Sequence, residues 1–195
     1  MIINNANDIE GHSLSKSTYR NKIQLFLEEY IPLRSMKANA SEKSYTVKEA
    51  TIKLMQFCAY RDRSQKEVQE KLREMRMIPE ACEQITIQLM RENFLNEERF
   101  ARSFVRGKFR IKKWGRIKIK QELKKREIST PLIKLGFTEI DPSEYYSTLN
   151  DLAEKKLPLI KEANSYKKKQ KLISFLHQKG YEFPVIMEIL EEFKF

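Results

Sequence analysis

The sequence contains little glycine, proline, cysteine or histidine, and this shortage excludes several classes of protein. Its 195 residues include five glycines, six prolines, two cysteines and two histidines. The alternation of apolar and polar residues that marks β-strands is hard to find, and Lys, Glu, Leu and Ile dominate instead, which favours helices. No run approaches the ~20 apolar residues that a membrane span needs. We therefore expect an all-α protein with no membrane partner.

Targeting and redox signals are equally sparse. The first ten residues have neither the basic segment nor the apolar core of a signal peptide, which predicts a cytoplasmic protein. Cys58 and Cys82 have no cysteine or histidine neighbour at metal-ligand spacing, and we interpret both as reduced core residues. The sequence predicts neither a metal site nor a cofactor.

Signatures of catalysis are missing as well. The chain has no Gly-rich phosphate loop, no HExxH motif and no Ser/His/Asp arrangement with local context. His12 lies in a polar N-terminal region, and His177 is alone on a predicted helix. Acidic residues such as Glu97, Glu98 and Asp141 lie at predicted helix ends, where capping explains them. We therefore predict a protein that is not an enzyme, and keep a metal-dependent nuclease as an alternative.

Positive charge, by contrast, is abundant and concentrated. The net charge is +11, yet the stretch from Arg99 to Arg126 alone holds +12, because it contains thirteen basic residues and a single acid, Glu122. Large apolar residues such as Phe104 and Trp114 are interleaved with these charges, which a disordered basic tail would not require. The stretch therefore predicts a folded basic element that binds a polyanion, with nucleic acid as its partner. The alternative is an ordinary solvated face, but such faces usually mix both signs of charge.

From Ala50 onward the apolar pattern repeats. Three sets of residues share the internal spacings +4, +5 and +5 and lie 51 and 53 residues apart: Val68, Leu72, Met77 and Cys82; Ile119, Leu123, Ile128 and Ile133; Leu172, Leu176, Tyr181 and Ile186. Leu89, Ile140 and Phe193 continue the pattern, and a proline recurs at Pro79, Pro131 and Pro184. Chance alignment of amphipathic helices is the alternative, but it does not explain the matched prolines, which suit the first turn of a helix.

This pattern predicts the organisation of the chain. Each repeat consists of three helices, and the repeats cover residues 46–92, 95–139 (the basic one) and 142–193. Because a unit of this size buries little surface alone, we expect an elongated tandem array of the three. Residues 1–45 form a polar N-terminal extension, in which Ile23, Phe26, Leu27 and Tyr30 predict one short helix before Pro32.

Two basic stripes define the predicted binding surface. In the second repeat, Asn96 suits the N-cap of a helix on which Arg99, Arg102, Arg106 and Arg110 share one face. Lys112 and Lys113 follow in a turn, and the next helix carries Arg116, Lys120 and Lys124, flanked by Lys118 and Lys125. Asn and Gln, which read base edges, are nearly absent from these faces. We expect contacts with the phosphate backbone and weak sequence preference.

Six further residues complete the predicted site. Arg61 and Arg63 in the first repeat and Lys167, Lys168 and Lys169 in the third place positive charge at corresponding turns, as an extended track would require. Ser64 and Glu67 predict a capping box at the next helix. Trp114 either stacks on a base or partner or packs the corner between two helices, and the sequence leaves both roles open.

Several motifs resemble the RecX family of recombination regulators. They are Arg61-Asp62-Arg63-Ser64 with Glu67 and Leu72, the run from Phe94 to Ala101 (FLNEERFA), and Trp114-Gly115 with Ile119, Glu122, Leu123 and Ile128. The resemblance covers residues 48–193. Two departures are notable. Asn96 replaces the usual acid of the second motif, and of the glycines that often close the second helix only Gly180 is kept, with Arg76 and Glu127 at the other two positions.

The resemblance implies a non-enzymatic modulator of the RecA recombinase. Such proteins bind along the RecA–DNA filament and block its extension, strand exchange and ATP hydrolysis. It also implies a role in homologous recombination and DNA repair, with the RecA filament and single-stranded DNA as partners of a monomeric protein. Double-stranded DNA is left open as a further partner. The residues alone leave open a stand-alone DNA- or RNA-binding module with little sequence preference.

Overall fold

All regular structure in the described part of the chain is helical. The computed structural model describes residues 16–30 and 45–195. The α-helices in these ranges are α1 (Lys16–Tyr30), α2 (Val47–Tyr60), α3 (Gln65–Glu74), α4 (Pro79–Arg91), α5 (Glu97–Lys112), α6 (Arg116–Lys125), α7 (Thr130–Phe137), α8 (Pro142–Lys156), α9 (Ser165–Lys179) and α10 (Phe183–Leu190). A 3-10 turn, Leu157–Leu159, follows α8. None of these helices is long and apolar enough to cross a lipid bilayer.

The chain divides into two compact units, of which the first contains α1 to α4. It comprises the described residues up to Arg99, except 64–66. Its core is built from α2, α3 and α4, and Tyr19 of α1 is buried in the same cluster. The Tyr19 ring lies 5.2 Å from the Phe94 ring, and its hydroxyl donates a hydrogen bond to the Asn93 carbonyl at 3.3 Å. The helix in the polar N-terminal region therefore packs on the first repeat.

The second unit contains the second and third repeats around a single hydrophobic core. It comprises residues 100–195 together with 64–66. The core runs without interruption from Phe100 of α5 to Leu190 of α10. Aromatic rings link the two repeats, because the Tyr145 ring lies 5.8 Å from Phe109 and 5.1 Å from Tyr181. Each repeat thus buries apolar surface that it could not cover by itself.

The apolar positions that repeat in the sequence are core positions in the structure. Of the twelve matched residues, ten are buried, and the other two, Met77 and Cys82, are half-buried against the core of the first unit. Leu89 and Ile140 are also buried, and Phe193 packs against the core of the second unit. The prediction of an all-α protein built from three-helix repeats is confirmed.

The turn after the second helix of each repeat has one geometry in all three. The residues at this point, Arg76, Glu127 and Gly180, have φ values of 56°, 62° and 95°. Each N–H bonds to the carbonyl three residues back, and the next N–H bonds five residues back, at 2.9 to 3.3 Å. This pair of bonds is the Schellman motif, which satisfies the last carbonyls of a helix.

Helix starts also follow the sequence signals. Pro79, Pro131 and Pro184 lie in the first turn of α4, α7 and α10, as predicted. The Asn96 side chain accepts a hydrogen bond from the Arg99 N–H at 2.9 Å, so it caps α5. Ser64 is buried directly before α3, and its capping box stays a prediction. Cys58 and Cys82 are both free thiols.

Candidate nucleic-acid interface

The arginine stripe of α5 faces acidic side chains of the same chain. Arg102 Nη1 lies 3.0 Å from Glu139 Oε1, and Arg106 Nη1 lies 3.0 Å from Glu139 Oε2. Arg110 Nη2 lies 3.5 Å from Glu144 Oε2. These acids begin or precede α8, far along the chain from α5. The stripe that the sequence presents as uncompensated charge is therefore largely balanced within the second unit.

Arg99 is the most enclosed member of that stripe. Its side chain is 12% exposed, and its Nε donates to Asp62 Oδ1 at 2.7 Å within the first unit. Its other nitrogens donate to the Asn93 side chain at 3.0 Å and to the carbonyls of Asn93 and Phe94 at 3.2 Å each. Such a guanidinium has little hydrogen-bonding capacity left for a phosphate. Arg99 therefore holds the turn between α4 and α5.

The two predicted arginines of the first repeat also have partners. Arg63 stacks on Phe57 with its guanidinium carbon 3.6 Å from the ring centroid, and its Nε donates to the Phe57 carbonyl at 3.2 Å. Arg61 is half-exposed and pairs with Glu67 at 2.6 Å. Arg63 is thus packed against the first unit, whereas Arg61 keeps one side toward solvent.

Four lysines at the end of α5, in the turn after it and on α6 are arranged differently. Lys112, Lys113, Lys120 and Lys124 are exposed. None of them forms an ion pair with an acid in the part of the chain that the structure describes. We name these four residues the α6 lysine surface. Lysines without acidic neighbours keep their full positive charge available to a polyanion.

Other basic residues on α6 are partly engaged. The Glu122 carboxylate pairs with Lys125 at 2.8 Å and Arg126 at 2.9 Å, and hydrogen bonds from these two side chains lower its pKa. The Lys118 ammonium donates to the Gln178 carbonyl at 3.4 Å. The single acid of the basic stretch therefore offsets charge at the C-terminal end of α6, away from Lys112 and Lys113.

The N-terminus of α6 is held by the third repeat. Gly115 N–H donates to the Lys179 carbonyl at 2.9 Å, and Ile117 N–H donates to the Gly180 carbonyl at 3.0 Å. A Cβ at Gly115 would collide with the Gly180 backbone, so only glycine permits this approach. The first N–H groups of α6 are consequently not available to a phosphate, and lysine side chains must supply the contacts.

A buried tyrosine completes this junction. Tyr145 hydroxyl accepts from the Arg116 N–H at 3.1 Å and donates to Glu182 Oε2 at 2.6 Å. The Arg116 guanidinium lies over the Tyr145 ring at 4.0 Å and 3.8 Å from Glu182 Oε1. Burial raises the pKa of Tyr145, so its hydroxyl stays protonated and can make both bonds. Arg116 thus joins the two repeats.

Cations and aromatic rings alternate between α5 and α6. The Lys108 ammonium lies 5.2 Å from the Phe104 ring centroid and 5.0 Å from that of Trp114. Lys118 lies 4.9 Å from the Trp114 ring, and Arg126 lies 5.0 Å from Phe104. Trp114 is half-buried and packs against the core, which is the corner role that its sequence position left open. Sequence reasoning left Lys108 and Arg126 out of the site, although the Phe104–Lys108 spacing of four indicates contact.

The third repeat adds lysines at the start of α9. Lys167 is exposed, while Lys168 and Lys169 are half-exposed, with the Lys169 ammonium 5.5 Å from the Phe195 ring. No acid pairs with these three lysines among the described residues. Of the predicted site residues, the α6 lysine surface and the three lysines of α9 thus have no acidic partner among the described residues, whereas the arginines do.

Metal-ligand groups and cysteine thiolates were the remaining candidates for reactive groups. Within residues 16–30 and 45–195, no group of three or more His, Cys, Asp or Glu residues could hold a metal ion. Burial raises the pKa of the Cys58 thiol to about 12, so the thiolate that acts as a nucleophile is absent near neutral pH. Burial likewise raises the pKa of Tyr181.

Comparison with known proteins agrees with the resemblance seen in the sequence. Regulatory protein RecX of Clostridium perfringens (strain 13 / Type A) is 32% identical over 123 residues, which are 62% of this chain and 57% of that relative. Regulatory protein RecX of Chlorobium phaeobacteroides (strain BS1) is 30% identical over 132 residues, which are 68% of this chain and 85% of the relative. This chain belongs to the RecX family. It spans less than two thirds of the clostridial relative's length.

Two family models agree with this membership, and a solved structure has the same fold. The model described as RecX, second three-helix domain, matches residues 96–135, and the model of the third three-helix domain matches residues 143–190. The crystal structure of RecX from Lactobacillus salivarius superposes with a TM-score of 0.68 at 23% identity, over 75% of this chain and 95% of that chain. The RecX relatives are named as regulatory proteins and not as enzymes.

Proposed function

We propose that this protein regulates the RecA recombinase by binding along the RecA–DNA filament through the α6 lysine surface. The observation that carries the proposal is the contrast within the second repeat between arginines paired with acids and exposed lysines without them. A polyanion is the partner that such lysines favour. Membership in a family of regulatory proteins supports RecA as the target, with inhibition as the expected effect and recombination and repair as the setting.

Exposure and ion pairing support a ranking of the predicted contact residues. The α6 lysine surface and Lys167 to Lys169 are proposed as the principal contacts, with Arg106, Arg110 and Arg61 as half-exposed secondary ones. Arg99, Arg63 and Arg116 are proposed to position the helices that carry these contacts. Lys118, Lys125 and Trp114 border the same surface.

Cosedimentation tests this proposal directly. The protein is centrifuged with RecA–ssDNA filaments and, separately, with bare ssDNA, and the DNA-dependent ATPase of RecA is measured in parallel. We expect the protein to sediment with the filament and to lower the ATPase at substoichiometric ratios. No effect on RecA at any ratio would contradict the proposal. Equal binding to bare ssDNA, again without an effect on RecA, would instead support a stand-alone nucleic-acid-binding protein.

Paired charge variants test the assignment of the surface. Lys120→Gln with Lys124→Gln removes two exposed charges of the α6 lysine surface. Arg73→Gln with Arg91→Gln removes two exposed charges of the first unit and serves as the matched control. Each lost phosphate contact should reduce the salt dependence of ssDNA affinity, d log K/d log[salt], by about 0.7, so the lysine pair should reduce it by about 1.4. The arginine pair should leave the slope and the ATPase effect unchanged.

A further inference from the structure

A second concentration of positive charge lies in the third repeat. Residues 155–171 contain seven lysines and one acid, Glu162. Glu162 pairs with Lys171 at 2.8 Å, and this bond lowers the pKa of the Glu162 carboxyl. Lys155, Lys161, Lys167 and Lys168 have no acidic partner within the described residues. These four lysines are therefore as free of acidic partners as the α6 lysine surface.

A large aromatic side chain lies exposed within this segment. Tyr166, in the first turn of α9, is 72% exposed, and its hydroxyl has no hydrogen-bond partner in the described part of the chain. Lys167 follows it directly, and Lys169 and Gln170 lie three and four residues on, where they share its side of the helix. Tyr166 is thus an aromatic ring available to solvent, with lysines close to it along α9.

The surroundings of Tyr166 differ from those of Trp114. The Trp114 ring packs against the core and has the ammonium groups of Lys108 and Lys118 within 5.0 Å of its centroid. No cation lies over Tyr166 among the described residues, so its ring is the more accessible surface for a planar ligand. The aromatic contact that the sequence suggested for Trp114 is better placed at Tyr166.

We propose that Tyr166 stacks on an unpaired base of single-stranded DNA while Lys167 and Lys168 contact the adjacent phosphates. Aromatic rings among lysines are the usual means of binding single strands without sequence preference, because every base has a π-face. In a duplex the bases stack on one another and leave no face for the ring. Tyr166 therefore makes the site selective for single strands. This inference rests on the proposed function, in which the protein contacts nucleic acid.

The test compares binding of the full chain to one oligonucleotide of about 20 nucleotides, single-stranded or paired with its complement. Tyr166→Ala should weaken single-strand affinity by about 5- to 100-fold. Duplex affinity should change by less than about twofold. Tyr166→Phe keeps the ring and should bind as the unmodified protein does. Tyr146→Ala, which removes a tyrosine hydrogen-bonded to Glu188 on the same repeat, is the matched control and should change neither affinity.

Salt dependence separates stacking from charge. Tyr166→Ala removes no charge, so it should lower affinity at every salt concentration without changing the slope of log K against log[salt]. Lys167→Gln should instead reduce that slope by about 0.7. Equal weakening of single-strand and duplex binding by Tyr166→Ala would overturn the proposal, as would unchanged single-strand binding. Failure of the unmodified protein to bind either DNA would overturn it too.

These outcomes are distinguishable from failure of the proposed function. Cosedimentation with RecA filaments and the RecA ATPase measure filament binding and regulation separately from the affinity for free DNA. Filament binding that persists in Tyr166→Ala, with normal single-strand affinity, would reject the stacking site alone. A melting temperature of Tyr166→Ala close to that of Tyr166→Phe would show that loss of binding is not loss of fold.

Discussion

Arginine and lysine have different roles in the second repeat, although both add the same charge. The α5 arginines reach acids on later segments, and Arg99 uses four separate acceptors. A planar guanidinium with five donors suits such fixed networks, whereas a flexible ammonium is a point charge that suits a mobile phosphate backbone. The sequence therefore predicts where the positive charge of the second repeat lies. Whether a basic residue is Arg or Lys helps to predict whether its charge stays available to a phosphate.

Glu139 sets how much of the α5 charge is available. It pairs with both Arg102 and Arg106, whose side chains are 31% and 47% exposed. Glu139→Gln should raise DNA affinity several-fold and increase the salt slope by up to about 0.9 for one added phosphate contact. Fluorescence anisotropy of a labelled duplex across a salt series measures both quantities.

The matched control for this prediction is Glu83→Gln. Glu83 is an exposed acid of α4 with no basic partner in the described part of the chain. The Glu83→Gln substitution changes the net charge by the same amount as Glu139→Gln, but it releases no arginine from an ion pair. Equal gains in the two variants would mean that net charge, and not the release of arginines from Glu139, controls affinity.

At the scale of helices and turns, the same turn ends the second helix of all three repeats. The Schellman turn requires a residue with positive φ, and glycine meets this requirement at the lowest cost. Only the third repeat has a glycine at this position, Gly180. In the other two repeats Arg76 and Glu127 adopt the same positive φ although they carry side chains. The spacing of apolar residues in the sequence predicted where these turns lie. The structure shows that the turns keep the same conformation where the glycine common in the family is replaced.

Arg76→Gly should therefore stabilise the protein. The left-handed conformation costs a residue other than glycine roughly 1–2 kcal/mol. Glycine removes this cost, but part of the benefit is lost because glycine has more conformational freedom in the unfolded chain. We expect a net increase of about 0.5–1 kcal/mol in the free energy of unfolding, measured by urea denaturation. Gly180→Ala should do the reverse, because its Cβ would collide with Lys118. A loss of stability in Arg76→Gly would mean that the arginine side chain contributes more than the strain it causes.

At the scale of the whole molecule, the net positive charge follows the same division as the hydrophobic cores. The second and third repeats share one core, and the first repeat has its own, which includes Tyr19 of α1. The positive charge belongs to the second of these units, since the chain outside residues 99–126 sums to −1. The stacking of repeats 2 and 3 follows from their size, because three short helices bury too little surface alone.

Localised charge predicts a steep dependence of binding on salt. If the four residues of the α6 lysine surface each contact a phosphate, they should together contribute about −3 to the slope of log K for ssDNA against log[salt]. Substitution of all four by glutamine should bring the slope close to that of the remaining contacts. A slope near zero for the unmodified protein would contradict an electrostatic interface. Titration of ssDNA at several salt concentrations, followed by Trp114 fluorescence, provides the measurement.

The sequence by itself determined the helical fold, the repeat and the place of the basic stretch. These features depend on short-range spacing, such as the apolar positions after Val68 and the prolines at Pro79, Pro131 and Pro184, which act within one or two helical turns. Only the tertiary structure decided which positive charges have acidic partners. Arg102 and Glu139 are 37 residues apart, and Tyr145 and Glu182 are equally distant, so no local pattern relates them. Ion pairing and burial depend on distances in space, and these are known only once the repeats pack.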